Sequence, residues 1–267
     1  MPFAPLGQIE IREAVHLLIL RRLTSLADGG AVTLKGGVNL RLFFASPRYS
    51  EDLDLDGEAS FRPAIRNVIG GIFKDSTFLR ELRRLGLRGL NPGEGPNKDT
   101  ETVFRYKFRV IGPADVEHPT KVEVSFRGRY EADGVLRSPL PPALVARYAG
   151  SEATLAVGRY DRPATVRQKL EALAGRSAVQ ARDVFDLRIL DLERLPDREA
   201  QSIARQAVRR TLEAARERAI EIPFDAFAGQ VGEFLADRDR EAFVSKAAWD
   251  DMRLHVAAGI ERLLKLE

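Results

Sequence analysis

The sequence predicts an α/β (α+β) protein with a mixed α/β N-terminal half and a helical C-terminal half. Short segments in which apolar and polar residues alternate lie in the first half, and this pattern is typical of strands. From Arg162 onward, apolar residues recur at intervals of three and four, which is typical of helices. The proline-rich segment Ser138–Gly150 separates the two patterns, so we expect domains at residues 1–150 and 151–267.

Composition favours a soluble globular protein and excludes several kinds of site. Of the 267 residues, 44% are hydrophobic and 30% are charged, and no run approaches the ~18 apolar residues of a membrane span. No secretory signal is recognisable, so we expect a cytoplasmic protein without membrane contact. The absence of cysteine excludes disulfides and thiolate sites, and three histidines argue against a multi-histidine zinc centre.

Spacing and turn residues predict the elements of the N-terminal half. Apolar residues three and four apart predict a helix over Glu10–Ser25, and the apolar run Ala31–Leu34 predicts a strand. A Gly-Gly turn then leads into a short helix that ends near Pro47. Pro63 marks the start of a further helix over Arg62–Lys74.

The remaining elements follow from the same patterns. Alternation predicts strands at residues 52–56, 102–110 and 121–128. Residues 91–101, "NPGEGPNKDTE", are expected to form a loop, and Pro113 and Pro119 are expected to bracket the connection between the last two strands. Helices are predicted at residues 163–176, 181–190, 197–218, 223–236 and 239–265, with Trp249 in the core.

The segment "SEDLDLDG" concentrates carboxylates in a way that suggests a cation site. On a strand, Asp52, Asp54 and Asp56 would share one face, while Leu53 and Leu55 would face a core. Two carboxylates on one face can hold the same hard cation, and Mg²⁺ is typically held by one or two carboxylates plus substrate phosphates. We therefore predict Mg²⁺, or alternatively Mn²⁺, at the first two acids and treat the third as accessory.

Two other segments fit this interpretation. Glu123 alternates with Val122 and Val124 in a second predicted strand, and it is the candidate for the third acid that a two-metal site requires. Upstream, a strand ending in Gly36-Gly37 and feeding a helix would expose backbone N–H groups to a phosphate. The Gly-Gly turn alone is a weak signal, but it becomes specific in combination with these acids.

Other interpretations of the acidic segment account for less of the sequence. A calcium-binding EF-hand loop would begin with Asp52, Asp54, Asp56 and Gly57, but Pro63 stands at its twelfth position, where glutamate is required. The Asp-x-Asp motif of glycosyltransferases predicts neither the Gly-Gly turn nor a separate strand acid. A solvated acidic turn would not explain why leucines alternate with the acids.

The segment "LKGGVNLRLFFASPRYSEDLDLDG" resembles the first motif of the AbiEii/AbiGii-type nucleotidyltransferase toxins, which belong to the DNA-polymerase-β-like superfamily. The matching residues are Lys35, Gly36, Gly37, Arg41, Arg48, Tyr49, Ser50, Asp52, Leu53 and Asp54. "KVEVSFR" resembles the second motif, and "QKLEALAGRSAVQARDVFDL" resembles the later motifs through Lys169, Arg176, Arg182, Asp183 and Asp186. The family often has a small hydroxyl residue where this chain has Val38, so this chain lacks one possible hydrogen bond to a phosphate.

The resemblance implies a polymerase-β-like nucleotidyltransferase domain with a mixed sheet, followed by a helical C-terminal domain. It implies transfer of a nucleoside monophosphate from an NTP, with Asp52 and Asp54 holding Mg²⁺ and Glu123 ligating the ion that activates the acceptor hydroxyl. Lys169 would be a catalytic residue that reaches the triphosphate. The nucleotide- and phosphate-binding residues would be Lys35, Gly36, Gly37, Arg48, Ser50, Lys169, Arg182, Asp183 and Asp186.

Two of these assignments carry a further implication. By the resemblance, phosphorylation of Ser50 would place a dianion beside the metal carboxylates and compete with the NTP. Asp183 and Asp186 lie within one helical turn of each other, and they would either orient Lys169 in a cleft or form an interhelical salt-bridge network. The residues leave both alternatives open.

The resemblance also suggests a toxin of a toxin–antitoxin or phage-abortive-infection pair, with an antitoxin encoded by a neighbouring gene. The tRNA 3′ end is the preferred acceptor, with a protein side-chain hydroxyl as the enzymatic alternative and a catalytically silent nucleotide-binding regulator as the non-enzymatic one. A basic run follows the acidic strand and would form a solvated helix surface or contact the phosphates of an RNA acceptor; it comprises Arg66, Arg80, Arg83, Arg84 and Arg88.

Overall fold

The computed structural model describes residues 6–26, 30–128, 134–150, 155–178 and 180–266. The chain divides into two compact units. The sheet unit comprises Met1–Phe43 and Tyr49–Tyr160, and the helical unit comprises Phe44–Arg48 and Asp161–Glu267. The change to the helical unit thus falls after residue 160 rather than within the proline-rich segment, and the functional domain limits of 1–150 and 151–267 stay a prediction.

The sheet unit contains a mixed sheet of eight strands in its described part. Its helices are α1 (Gln8–Leu23), α2 (Gly36–Phe43), α3 (Arg62–Gly71), α4 (Ser76–Arg84) and α5 (Pro142–Ala149), with short 3₁₀ turns at Ala59–Phe61 and Pro113–Asp115. Its strands are β1 (Val32–Lys35), β2 (Asp52–Gly57), β3 (Gly89–Asn91), β4 (Pro96–Asp99), β5 (Val103–Ile111), β6 (Glu117–Ser125), β7 (Val135–Pro139) and β8 (Ala156–Tyr160). The mixed sheet confirms the predicted fold class.

Strand β2 lies at the centre of this sheet. The strand order is β3-β5-β6-β2-β1-β8-β7, and β4 also pairs with β5. Strand β2 runs antiparallel to β1 and parallel to β6, while β5 and β6 are antiparallel. The acids predicted on β2 and β6 therefore lie on adjacent central strands.

One face of the sheet packs against helices because its residues are apolar. Leu53 and Leu55 are fully buried, and helix α1 packs on β2, β5 and β6. The ring of Phe73, just after α3, lies with its centroid 4.7 Å from that of Tyr106 and 5.5 Å from that of Phe108 on β5. The intervening residues of these strands point to the opposite face, as alternation predicts.

Two details of the connections differ from the sequence predictions. Residues 91–101 are not a loop throughout, because β3 ends at Asn91 and Pro96–Asp99 forms β4. Both segments pair with the outer edge of β5, where proline is tolerated and the backbone groups would otherwise be unpaired. Pro119 lies within β6, at a position that pairs with β5 but precedes the pairing with β2.

The helical unit confirms the helical character predicted from Arg162 onward. Its helices are α6 (Arg162–Gly175), α7 (Ala181–Ile189), α8 (Asp197–Gln206), α9 (Arg209–Glu221), α10 (Phe224–Val231), α11 (Asp237–Phe243) and α12 (Lys246–Leu266), with 3₁₀ turns at Leu192–Arg194 and Gly232–Phe234. The single helix expected at residues 197–218 is instead α8 and α9. Extended backbone at Ala207 separates them and allows both to pack on α6 and α12. Across the described ranges, no helix has both the length and the apolar character needed to cross a membrane.

The core of the helical unit surrounds the single tryptophan of the chain. Trp249 is fully buried, as predicted, and its ring is stacked on Phe227 at a centroid distance of 4.4 Å and an interplanar angle of 11°. Its indole Nε1 donates a hydrogen bond of 3.0 Å to the carbonyl oxygen of Ile222. The fluorescence of Trp249 therefore reports the folding of this unit.

We predict that Phe227→Ala lowers the free energy of unfolding by about 3–5 kcal/mol, because it leaves a cavity beside the indole. The measurement is urea denaturation followed by Trp249 fluorescence. Leu254→Ala is the control on α12, since Leu254 is 65% exposed, and its effect should stay within about 0.5 kcal/mol. Equal losses in the two variants would contradict the proposed packing.

Candidate active site

The register of the central strands places four charged residues in one row across the sheet. Asp54 pairs with Lys35 of β1 on one side and with Glu123 of β6 on the other. Glu123 in turn pairs with Arg105 of β5. Because residues in register share a face, the row carries two adjacent carboxylates with a cation at each end. The structure thus brings Asp54 and Glu123 together, as the sequence suggested.

Most acids of this face have a cationic partner. Asp52 Oδ2 lies 2.6 Å from Lys121 Nζ, and Glu123 Oε2 lies 2.5 Å from Arg105 Nε. These pairs link the acids of β2 and β6 to cations on β6 and β5.

Asp56 is the best compensated of the acids on β2. Its Oδ1 lies 2.5 Å from Lys35 Nζ, and its Oδ2 accepts a 2.7 Å hydrogen bond from the hydroxyl of Tyr160. Its side chain is nearly inaccessible to solvent. These contacts give Asp56 a structural role, and the phosphate role of Lys35 stays a prediction.

Asp54 differs from its neighbours because it forms no hydrogen bond or ion pair with any other described residue. Burial raises the pKa of its carboxyl group above the ordinary value. Asp52 and Glu123 raise this pKa further by repulsion, while Lys121 and Lys35 act in the opposite direction. Asp54 is therefore the acid whose negative charge is least compensated on this face.

The Gly-Gly turn lies directly against Asp54. Gly36 has a φ of +67°, and it is the first residue of α2, immediately after β1. A Cβ atom at this position would stand 3.0 Å from Asp54 Oδ2. Glycine is thus needed both for the left-handed backbone and for the space beside the carboxylate. This confirms the predicted strand-to-helix turn at Gly36 and Gly37, whereas their binding of phosphate stays a prediction.

The donor set suits a hard divalent cation. Asp52, Asp54 and Glu123 share the same face and offer only carboxylate oxygens, which are the ligands that Mg²⁺ and Mn²⁺ accept. As the side chains stand, no group of three acidic, histidine or cysteine residues in the described part of the chain is arranged to hold a metal ion. Lys121 and Arg105 instead hold two of the three carboxylates.

Ser50 lies outside β2, two residues before its start. The hydroxyl of Ser50 donates a 2.9 Å hydrogen bond to the main-chain oxygen of Asp52. The strand begins only at Asp52, so the extension that would have aligned the serine with the acids is not formed. Its contact with phosphate and its modification stay predictions.

A buried histidine to which the sequence assigned no role fixes the chain at the start of β2. Thr120 donates its hydroxyl hydrogen to the carbonyl oxygen of Glu51 at 2.7 Å, so His16 Nε2, at 2.8 Å, must be the donor to Thr120. Burial, assisted by the charge of Arg12, lowers the pKa of His16 to about 3 and keeps it neutral. A lone histidine in an apolar helix gives no signal of this contact.

The second group of predicted residues lies entirely in the helical unit. Lys169 Nζ lies 2.9 Å from Asp183 Oδ1 and 2.6 Å from Asp186 Oδ2. Arg48 Nη2 contacts both oxygens of Asp186 at 3.1 Å, and Arg176 Nε lies 3.1 Å from Asp183 Oδ2. The salt-bridge network between α6 and α7 therefore exists, and a catalytic role for Lys169 stays a prediction.

The electrostatics of this network favour the charged forms of Asp186 and Lys169. Burial alone would raise the pKa of Asp186, but Arg48 and Lys169 lower it below the ordinary value. Burial alone would lower the pKa of Lys169, but Asp183 and Asp186 raise it. Arg182, half-buried on the same helix, forms no hydrogen bond or ion pair with another described residue, and its phosphate role stays a prediction.

The fold resembles solved structures that include a nucleotidyltransferase toxin. MenT4, a nucleotidyltransferase toxin from Mycobacterium tuberculosis H37Rv, matches with a TM-score of 0.55 at 15% identity, over 98% of this chain and 90% of that one. JHP933 from Helicobacter pylori matches with a TM-score of 0.54 at 17% identity, over 98% and 94% of the two chains. The fold is thus the one seen in nucleotidyltransferase toxins.

The sequence defines the family. Residues 18–262 match the family described as nucleotidyl transferase AbiEii toxin of type IV toxin–antitoxin systems, and the chain belongs to this family. The resemblance inferred from Lys35 to Leu187 is therefore confirmed and extends over most of the chain. No curated protein matches the sequence significantly.

We predict that Gly36→Ala destabilises the protein by about 1–3 kcal/mol, because it combines a positive φ with a contact on Asp54. Gly70→Ala is the matched control, since Gly70 lies within α3 and an added Cβ would meet nothing within 4 Å. Gly70→Ala should stabilise the protein by about 0.5–1 kcal/mol. Thermal unfolding followed by circular dichroism measures both, and stabilisation by Gly36→Ala would refute the close approach.

We predict that the helical unit loses stability as the pH falls below about 4, the ordinary aspartate pKa. The pKa of Asp186 is lowered in the folded state, so its contribution is present above the unfolded-state pKa and is lost as the pH falls through the folded-state value. Asp186→Asn should cost about 3–5 kcal/mol at neutral pH and reduce this acid dependence.

Urea denaturation at several pH values, followed by Trp249 fluorescence, tests this prediction. Asp225→Asn, at an exposed position on α10, should retain the wild-type acid dependence. An Asp186→Asn variant with the same acid dependence as wild type would contradict the role of Asp186.

Proposed function

We propose that this nucleotidyltransferase toxin transfers a nucleoside monophosphate from an NTP to the 3′ end of a tRNA. The observation that carries the proposal is the adjacency of Asp54 and Glu123 on one sheet face, with the Gly36 turn against Asp54. In the reaction, the acceptor 3′ oxygen forms a bond to the α-phosphorus. The bond to the pyrophosphate oxygen breaks, and the acceptor hydroxyl proton is released.

Each residue near the acids has a proposed task. Asp52, Asp54 and Glu123 would hold Mg²⁺ or Mn²⁺, which would neutralise charge developing on the attacking and leaving oxygens. The backbone N–H groups of Gly36 and Gly37 would seat the phosphates at the start of α2. Lys121 would hold the carboxylate of Asp52 and Arg105 that of Glu123, since these pairs are present in the structure.

The remaining residues are proposed to act on the nucleotide. Lys169 would neutralise the triphosphate, with Asp183 and Asp186 holding its ammonium group as they do in the structure. Arg48, Arg182 and Lys35 would add positive charge, and the Ser50 hydroxyl would donate to a phosphate oxygen. The family resemblance, and not a contact in the structure, supports these four roles. We further propose that the toxin acts in the cytoplasm and is opposed by an antitoxin from a neighbouring gene.

The test incubates the protein with each labelled NTP, Mg²⁺ and total RNA. We predict label in a tRNA-sized band, and a decrease of about 100-fold or more for Asp54→Asn. Losing several kcal/mol of charge stabilisation has this effect at about 1.4 kcal/mol per tenfold change in rate. Asp115→Asn is the matched control, because Asp115 is exposed and, among the described residues, pairs only with exposed Arg88. This variant should retain activity.

The outcomes separate the alternatives. Label on protein in place of RNA would favour a side-chain hydroxyl acceptor and overturn the tRNA proposal. NTP binding without transfer to any acceptor would favour a silent regulator. An Asp54→Asn variant as active as wild type would exclude Asp54 from the chemistry.

A further inference from the structure

A cavity of about 670 Å³ lies on the polar face of the sheet unit, next to the acids. Its lining includes Asp52 and Lys121, together with Lys107 and Arg109 of β5 and the Gly93–Asn97 segment. In the strand order β5-β6-β2-β1, this cavity lies toward β5, whereas the Gly36 turn follows β1. Its volume is in the range of small-ligand sites, and it adjoins the acids on the side away from the proposed phosphate turn.

The wall formed by β5 and β6 contains a like-charged pair that sheets normally avoid. Lys107 stands directly opposite Lys121 in the antiparallel register, and like charges in such positions are destabilising. Asp52 compensates Lys121, but Lys107 forms no hydrogen bond or ion pair with another described residue. The cavity wall therefore presents an uncompensated positive charge, which an anion would stabilise.

Arg109 extends this positive wall along the strand. It lies two residues from Lys107 on the same face of β5, about 7 Å away. Its Nε lies 3.3 Å from Glu117, but both side chains are about half exposed, so the pair is weak. Glu51 and Glu94 also line the cavity, so the positive charge of its wall comes from Lys107, Arg109 and Lys121.

We propose that this cavity binds the acceptor strand of an RNA, with Lys107 and Arg109 contacting its phosphodiester backbone. The inference rests on the proposed function, because it supplies the acceptor for that reaction. Two cations two residues apart on an extended strand can contact successive phosphates of an extended single strand. The triphosphate of the NTP is assigned to the opposite side of the acids, at Gly36 and Gly37, so the two substrates approach the acids from different sides.

The test measures binding without turnover. A fluorescein-labelled short single-stranded RNA is titrated with the full chain in EDTA, without NTP, at several salt concentrations, and fluorescence polarisation is recorded. We predict that Lys107→Gln weakens RNA binding about fivefold and reduces the slope of log affinity against log salt by about 0.7, the value for one phosphate contact of a single strand. Binding of a fluorescent NTP analogue should be unchanged.

Lys74→Gln is the matched control. Lys74 is exposed and follows Phe73, which packs on the face of β5 opposite Lys107. The control should retain wild-type RNA affinity and salt slope. A neutral methylphosphonate at the contacted linkage should weaken wild-type binding but have no further effect on Lys107→Gln.

The outcomes decide the inference separately from the transfer reaction. Unchanged RNA affinity and slope in Lys107→Gln would overturn it, and so would a loss of NTP binding, which would place Lys107 in the nucleotide site. Lys107-dependent binding of an acidic peptide, without binding of RNA, would also overturn the inference. The protein could bind RNA through Lys107 and yet transfer no nucleotide to it. That result would support the binding site and refute the proposed function.

Discussion

The parallel pairing of β2 with β6 is the constraint on which the candidate active site depends. It places Asp54 beside Glu123, although adjacent carboxylates repel each other. The opposite faces of the same strands fix this register, because Leu53, Leu55, Val122 and Val124 are fully buried. A slip by one residue would turn the carboxylates into the core and the apolar residues to the polar face. The burial of apolar side chains therefore determines where the acids stand.

Partners that compensate their charge distinguish the structural acids from Asp54, the acid best placed to bind a cation. Asp56 is bound by Lys35 and Tyr160, and Asp186 is bound by Arg48 and Lys169. Both acids are buried, and removal of either set of partners would leave an uncompensated charge in the interior. Asp54 has no such partner among the described residues, and its raised pKa shows that its surroundings disfavour the anion. Such an acid gains most from a cationic ligand.

Local sequence patterns predict the face of a strand on which a side chain lies. The residues that it contacts depend on pairing between segments that are distant in the sequence. Alternation alone placed Asp52, Asp54 and Glu123 on polar faces, and the Gly-Gly turn before α2 followed from residue types. The pairing of Glu123 with Arg105 requires the register of β5 with β6, and the contact of Tyr160 with Asp56 joins distant segments.

The predictions of elements failed for related reasons. Strands β3 and β4 were missed because proline and glycine are typical of loops, and these strands form only through the open edge of β5. The break between α8 and α9 contains neither residue type, and it is explained by packing of both helices on α6 and α12. The family resemblance supplied what these patterns lack, since it identified residues in both units.

Three departures from the usual rules of folding lie on or beside one face of the sheet. Gly36 adopts a positive φ at a helix start, Asp54 lacks a compensating partner, and Lys107 faces Lys121 across a strand pair. The uncompensated carboxylate and the like-charged pair are unfavourable, and elsewhere the same strands follow the alternation and burial expected of a stable sheet. Because departures of this kind are expected where a binding surface constrains the sequence, their occurrence together supports the assignment of this face to substrate. Asp54 and Glu123 carry negative charge and Lys107 and Arg109 carry positive charge, which suits the proposed transfer, since its metal ions are cations and its RNA acceptor is an anion.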